Sequence, residues 1–140
     1  KGVMAHNTIA ENWDGDGSGV HVSLNSDVIL YSNIVVSHTV GITNADVAGS
    51  NVDAKFTLFE GNLNDYGAGV SSSDEVAGPA ALLADYHLGA SSGAIDQAPV
   101  LSWVTRDIDG DARPMGLAPD VGADERWVHI SLPLILRAGP

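Results

Sequence analysis

Two short acidic runs hold the residue types from which metal sites are built. Asp14-Gly15-Asp16-Gly17-Ser18-Gly19 alternates carboxylates with glycine, an arrangement that lets oxygens converge on a hard cation such as calcium. Asp107, Asp109 and Asp111 stand at alternate positions around Gly110, the front half of a calcium-loop spacing. Neither run has a Glu where an EF-hand places its twelfth ligand, and counted from Asp107 that position is Ala118. Each run is equally a solvent turn with glycine supplying positive φ. Arg113 also lies close enough to neutralise one carboxylate of the second run. Calcium is the one cofactor these residues suggest.

Acid–base chemistry has one candidate pair. Glu11 and Glu60 occupy similar places in a repeat, two steps apart with Ser37 between them. Stacked strands at about 4.8 Å would put the two roughly 9.6 Å apart, the upper edge of the separation in an inverting glycosidase. Trp13, in a polar Asn-Trp-Asp loop beside the first acidic run, is the aromatic best placed to stack on a sugar ring. Glu11, Trp13 and Glu60 are therefore the ligand-binding candidates. The five histidines, His6, His21, His38, His87 and His129, lack the spacing of a zinc ligand set. Neither a Gly-x-Ser-x-Gly nucleophile elbow nor a Gly-x-x-x-x-Gly-Lys phosphate loop occurs. No residue is assigned a catalytic role.

The elements that would position these groups are short strands. Gly, Asn, Asp and Ser punctuate residues 1–70 every few positions, between runs rich in Val and Ile. The runs recur: His6-Asn7-Thr8-Ile9-Ala10-Glu11-Asn12 is echoed by Ser32-Asn33-Ile34-Val35-Val36-Ser37-His38, and again by Lys55-Phe56-Thr57-Leu58-Phe59-Glu60-Gly61-Asn62. Aligning Ile9, Val35 and Leu58 gives steps of 26 and 23 residues. Gly19-Val20-His21-Val22 returns 22 residues later as Gly41-Ile42-Thr43-Asn44. A period of this length built from strands and turns is a solenoid signal. It predicts Ile9, Val35 and Leu58 stacked inward, and His38 in one column with Asn12 and Asn62. A β-sandwich would instead space hairpin turns at about 8–12 residues.

The Asn-x-Ile-x-x-Asn pattern of Asn7, Ile9 and Asn12, with its looser copies, resembles the right-handed parallel β-helix family, the fold of pectate-lyase-like and many bacterial surface proteins. The segment Ser91-Ser92-Gly93-Ala94-Ile95-Asp96, then Asp107-Ile108-Asp109-Gly110-Asp111-Ala112-Arg113-Pro114, then Asp120-Val121-Gly122-Ala123-Asp124-Glu125, is similar to the C-terminal closing module of surface-exposed β-helix proteins. In that module "SPAID", "DxDGxxRP" and "DxGAxE" elements follow one another; here Ser91-Ser92-Gly93 stands in place of the Ser-Pro step. The expected architecture is all-β: about three rungs of right-handed parallel β-helix over 1–70, a connecting loop at 71–85, a closing module at 86–127, and an apolar tail at 128–140. Trp103 and Trp127 are expected to cover the end of the stack.

The resemblance implies an extracellular or cell-surface location and no established chemistry. Composition agrees with a narrow set of partners. With 18 acidic side chains against 6 Lys and Arg, the formal charge is −12, which opposes nucleic acid, because counterion release needs clustered cations. The apolar run Ile130–Leu136 is interrupted by Pro133 and is too short to span a bilayer as a helix. Cysteine is absent, removing disulfides, thiol nucleophiles and thiolate metal sites. Lyases of this fold use a basic residue to abstract a proton, and residues 2–70 contain one Lys or Arg, Lys55. The expected function is a non-catalytic structural or adhesive part of a secreted or surface protein, binding polysaccharide or copies of itself. The alternative is a fragment of a carbohydrate-active enzyme. Residue 1 is Lys with no leader-like segment after it, so the numbering is expected to start inside a longer precursor whose further rungs, or another copy, cover the first turn.

Overall fold

The computed structural model of the chain describes residues 1–10 and 17–127. Ten strands follow one another: β1 (Gly2–Ala5), β2 (Thr8–Ala10), β3 (Ser18–Val22), β4 (Asp27–Tyr31), β5 (Ile34–Val36), β6 (Val40–Asn44), β7 (Asn51–Lys55), β8 (Leu58–Glu60), β9 (Asn64–Tyr66) and β10 (Val70–Ser73). They form three sheets in the orders β1-β4-β7-β10, β2-β5-β8 and β3-β6-β9. Every pairing is parallel. Each turn of the chain thus gives one strand to each sheet in succession, which defines a parallel β-helix. β10 opens a fourth turn, and Val76 continues it with a parallel bridge to Leu58. The boundary at residue 70 therefore falls inside β10. No helix among the described residues is long and apolar enough to cross a membrane.

Local chemistry explains the corners. His6, Ser32, Phe56 and Asp74 follow β1, β4, β7 and β10 in equivalent positions, and all four have left-handed φ between 51° and 55°. One left-handed residue swings the chain from the first sheet to the second. The ladder continues through it, with His6 N–H donating to Tyr31 O at 3.0 Å and Ser32 N–H to Lys55 O at 2.9 Å. In the second and third turns the next residue, Asn33 or Thr57, is buried and polar. Asn33, with no exposed surface, accepts from Asn7 N and Asn7 Nδ2 at 3.0 Å each and donates to Met4 O at 3.2 Å. A second column of left-handed residues, Ser37 and Gly61, follows β5 and β8. There Asn62 Oδ1 accepts from His38 N at 2.9 Å, so His38 and Asn62 share a column as expected; Asn12 lies outside the described residues.

Packing divides the apolar residues into two cores. Val20, Val22, Leu30, Ile42, Val52 and Ala54 fill the inside of the coil, with Met4, Ile9, Val28, Phe59 and Val70 against them. The inward columns change character along the stack. Ile9 and Val35 are followed by Phe59, and Val20 and Ile42 by Tyr66. The two rings meet edge to face with centroids 6.1 Å apart, a favoured aromatic geometry.

The second core lies outside the coil. Ile34, Val36 and Leu58, on the outer face of β5 and β8, pack with Ala80, Leu88, Ala94, Ala98 and Val121. This corrects two expectations. Leu58 pairs with Ile34 and Phe59 with Val35, so the third member of the inward stack is Phe59, and the step is 24 residues. Leu58 points outward. The slip arises because β5 is buried on both faces and carries no alternation to fix the register. Second, residues 86–127 run along the flank of the stack, reaching the second turn through Gly122 N–H to Ser32 O at 2.9 Å and the first through Ala123 N–H to Thr8 Oγ1 at 3.0 Å. Trp103 and Trp127 are not end covers; they are 62% and 67% exposed.

Candidate functional site

Docking the module against the flank leaves an open seam beside it. A cleft of about 410 Å³ is lined by Ala10, Val36 and Ser37 on the coil side, by 81–84 and Tyr86 on the other, and by Glu60 at its edge. Glu60 Oε2 accepts from Ala80 N at 2.9 Å, which fixes one oxygen and holds the carboxylate at the rim. Tyr86 is 45% exposed and has φ of 67°, a conformation bulky residues adopt only when their surroundings enforce it. Here the enforcement is a tight turn, with Tyr86 N–H donating to Leu83 O at 2.9 Å and Leu83 N–H to His87 O at 2.8 Å. Tyr86 also borders a second cavity of about 180 Å³, with Thr8, Asp85, His87, Ile108 and Ala123.

The module's charged motif residues hold its backbone. Asp107 Oδ1 accepts from Asp109 N and Asp111 N at 3.0 and 2.8 Å, and its Oδ2 from Glu125 N at 3.1 Å. Asp120 accepts from Asp96 N and Arg126 N, both at 2.7 Å. Glu125 accepts from Met115 N at 2.9 Å and Asp120 N at 3.0 Å. Arg113, its side chain 1% exposed, pairs with Glu125 Oε2 at 3.1 Å and donates to the carbonyls of Asp120 and Gly122 at 2.9 and 2.8 Å. Its Nη1 lies 3.1 Å from His6 Nδ1, tying this buried cluster to the first turn. Burial, with the Arg113 charge beside it, pushes His6 down to about 4, so its ring is neutral at pH 7; the same Nδ1 lies 3.0 Å from Asp120 O. Burial pushes Asp120 up to about 6.

One set of metal-ligating groups gathers among the described residues: His87, Asp109 and Asp124, with ligand atoms all within 4.8 Å of one another. His87 Nε2 lies 2.7 Å from Asp109 Oδ2, and Nδ1 lies 3.2 Å from Asp85 Oδ1. The hydrogen bond to Asp109, with Asp85 on the other side, raises His87 to about 9. Asp124 is buried, and its Oδ2 accepts from Leu88 N at 2.7 Å.

These placements redistribute the sequence candidates. Asp107, Asp109 and Asp111 do not form one ligand set, because Asp107 is committed to three backbone N–H groups; Asp109 turns to His87, and Asp111 is exposed. Glu60 shares its column with Val36 and Ala10, not with Glu11, so the repeat supplies no carboxylate pair at that position. Glu11, Trp13, Asp14 and Asp16 lie outside the described residues. Sequence reasoning did not choose Tyr86, His87 or Asp124 as site residues. Their nearness depends on a fold-back of the chain that no local spacing encodes. No protein-family model, no curated protein and no solved structure matches the chain.

Proposed function

We propose that the chain is the non-catalytic, polysaccharide-binding part of a secreted or cell-surface β-helix protein, with the sugar chain held in the seam cleft. The observation that carries this reading is Tyr86, an exposed ring fixed in a strained turn beside an open groove that also offers Ser37 and Glu60. A flat aromatic face with nearby hydroxyl and carboxylate acceptors suits a sugar ring, which has apolar C–H faces and a rim of O–H donors. Glu60 is the one Asp or Glu among the described lining residues, whereas glycoside hydrolysis needs two. The likeness of the closing segment to bacterial surface proteins also favours an extracellular setting.

The test is a glycan array followed by titration calorimetry on the best ligand. Tyr86→Ala is expected to weaken binding about tenfold, the loss of roughly 1.4 kcal/mol of ring contact. Glu60→Gln is expected to weaken it less. Absence of any glycan ligand, or equal binding by Tyr86→Ala, refutes the reading. Release of new reducing ends or unsaturated sugars would place the chain among carbohydrate-active enzymes instead.

A further inference from the structure

We propose that His87, Asp109 and Asp124 bind a divalent first-row transition ion, such as zinc or manganese, that clamps three segments of the closing module together. This site is separate from the seam cleft and does not depend on the polysaccharide reading.

The three ligands come from chain segments with no sequence continuity. His87 sits in the turn stapled by the antiparallel Leu82–Leu88 bridge. Asp109 is at the tip of the turn that Asp107 caps. Asp124 lies in the stretch that docks on Thr8 through Ala123. Ligands in a tetrahedral zinc site, at about 2.0–2.2 Å from the ion, stand roughly 3.4 Å from one another. The set already lies within 4.8 Å. Asp109, about half exposed, is free to open its 2.7 Å contact with Nε2 and admit an ion.

Donor chemistry selects the ion. One imidazole nitrogen with two carboxylates suits zinc or manganese, whereas calcium takes oxygen ligands alone. A second carboxylate stands near the other ring nitrogen, where metal-binding histidines usually have one. Nε2 faces the Asp109 carboxylate, and Nδ1 lies 3.2 Å from Asp85 in a geometry that makes no hydrogen bond. A small rotation of Asp85 converts that contact into the carboxylate–histidine–metal arrangement that fixes the tautomer. Asp124 supplies a further observation. It is 6% exposed yet its carboxylate receives one hydrogen bond, on Oδ2. Without a metal the protonated His87 ring balances this carboxylate, so an ion that binds here displaces the His87 proton and takes over its charge. The adjoining cavity of about 180 Å³ leaves room for water at the remaining coordination positions.

The experiment is calorimetric titration of the intact chain with zinc chloride, repeated with manganese and calcium chlorides. One saturable zinc equivalent is expected, weakened about tenfold or more by His87→Gln and by Asp109→Asn, and unchanged by Asp111→Asn. Calcium at the same concentration should leave the zinc isotherm unaltered. Asp109 is exposed enough that Asp109→Asn should keep the native circular dichroism, so loss of binding in that variant reports the site and not the fold. As an independent readout, manganese should broaden the His87 and Asp124 resonances selectively. No saturable binding, or zinc affinity unchanged in both variants, overturns the proposal, as does broadening centred on other histidines.

Discussion

Arg113 is the residue whose removal should separate the module from the coil. Arg113→Ala deletes a guanidinium that pairs with Glu125, whose side chain has no exposed surface, and that satisfies the carbonyls of Asp120 and Gly122. Breaking a buried pair by removing one partner costs about 3–5 kcal/mol, because the remaining charge stays out of water. Glu125 retains its two backbone donors, which sets the expectation at the lower end, about 3 kcal/mol. A domain of ordinary stability, about 5–15 kcal/mol, would keep its fold but unfold at markedly lower denaturant. The assay is urea unfolding followed by tryptophan fluorescence and circular dichroism. Glu125→Gln with Arg113→Met should lose less than Arg113→Ala alone, since no unpaired charge then remains. A loss below about 1 kcal/mol for Arg113→Ala would refute the claim that this cluster secures the module.

Further predictions follow from the same geometry. His6 lies near 4 when folded against 6.5 unfolded, so the unfolded chain binds the extra proton between these values. Its contribution is complete above pH 6.5 and is lost as pH falls to 4. The unfolding free energy of wild type minus that of His6→Asn should drop by about 3 kcal/mol over that window. Asp120, raised to about 6, acts in the opposite sense and is present in both proteins, so the difference removes most of its contribution. Gly122→Ala should cost about 2 kcal/mol or more in thermal unfolding, because φ is 97° and a Cβ would sit 2.6 Å from Ile34 Cδ1. Asn33→Ala should cost about 2 kcal/mol in urea unfolding, since it strands Asn7 N–H and Met4 O near the buried corner.

The coil was legible in the sequence where its strands alternate between inside and outside. Val20–Val22 and Val40–Asn44 carry that alternation, and their pairing of Val20 with Ile42 agrees with the 22-residue echo. Ile34-Val35-Val36 carries none, being buried on both faces, and there the third rung was misaligned by one residue. The position of residues 86–127 along the flank was not legible in the sequence. Asp107, Arg113, Asp120 and Glu125 are charged residues that satisfy backbone groups, a use that composition does not distinguish from metal binding or catalysis. The seam residues Glu60 and Tyr86, and the cluster of His87, Asp109 and Asp124, are neighbours only because the chain folds back along β2, β5 and β8.

Backbone and ring resonances of Ser37, Glu60 and Tyr86, followed by nuclear magnetic resonance while the best array ligand is added, test the central claim most directly. The account predicts saturable shifts at these three residues and at 81–84, with little change at exposed Trp103 or along the outer face of β7. Shifts centred elsewhere on the described surface, with the seam unmoved, would contradict it.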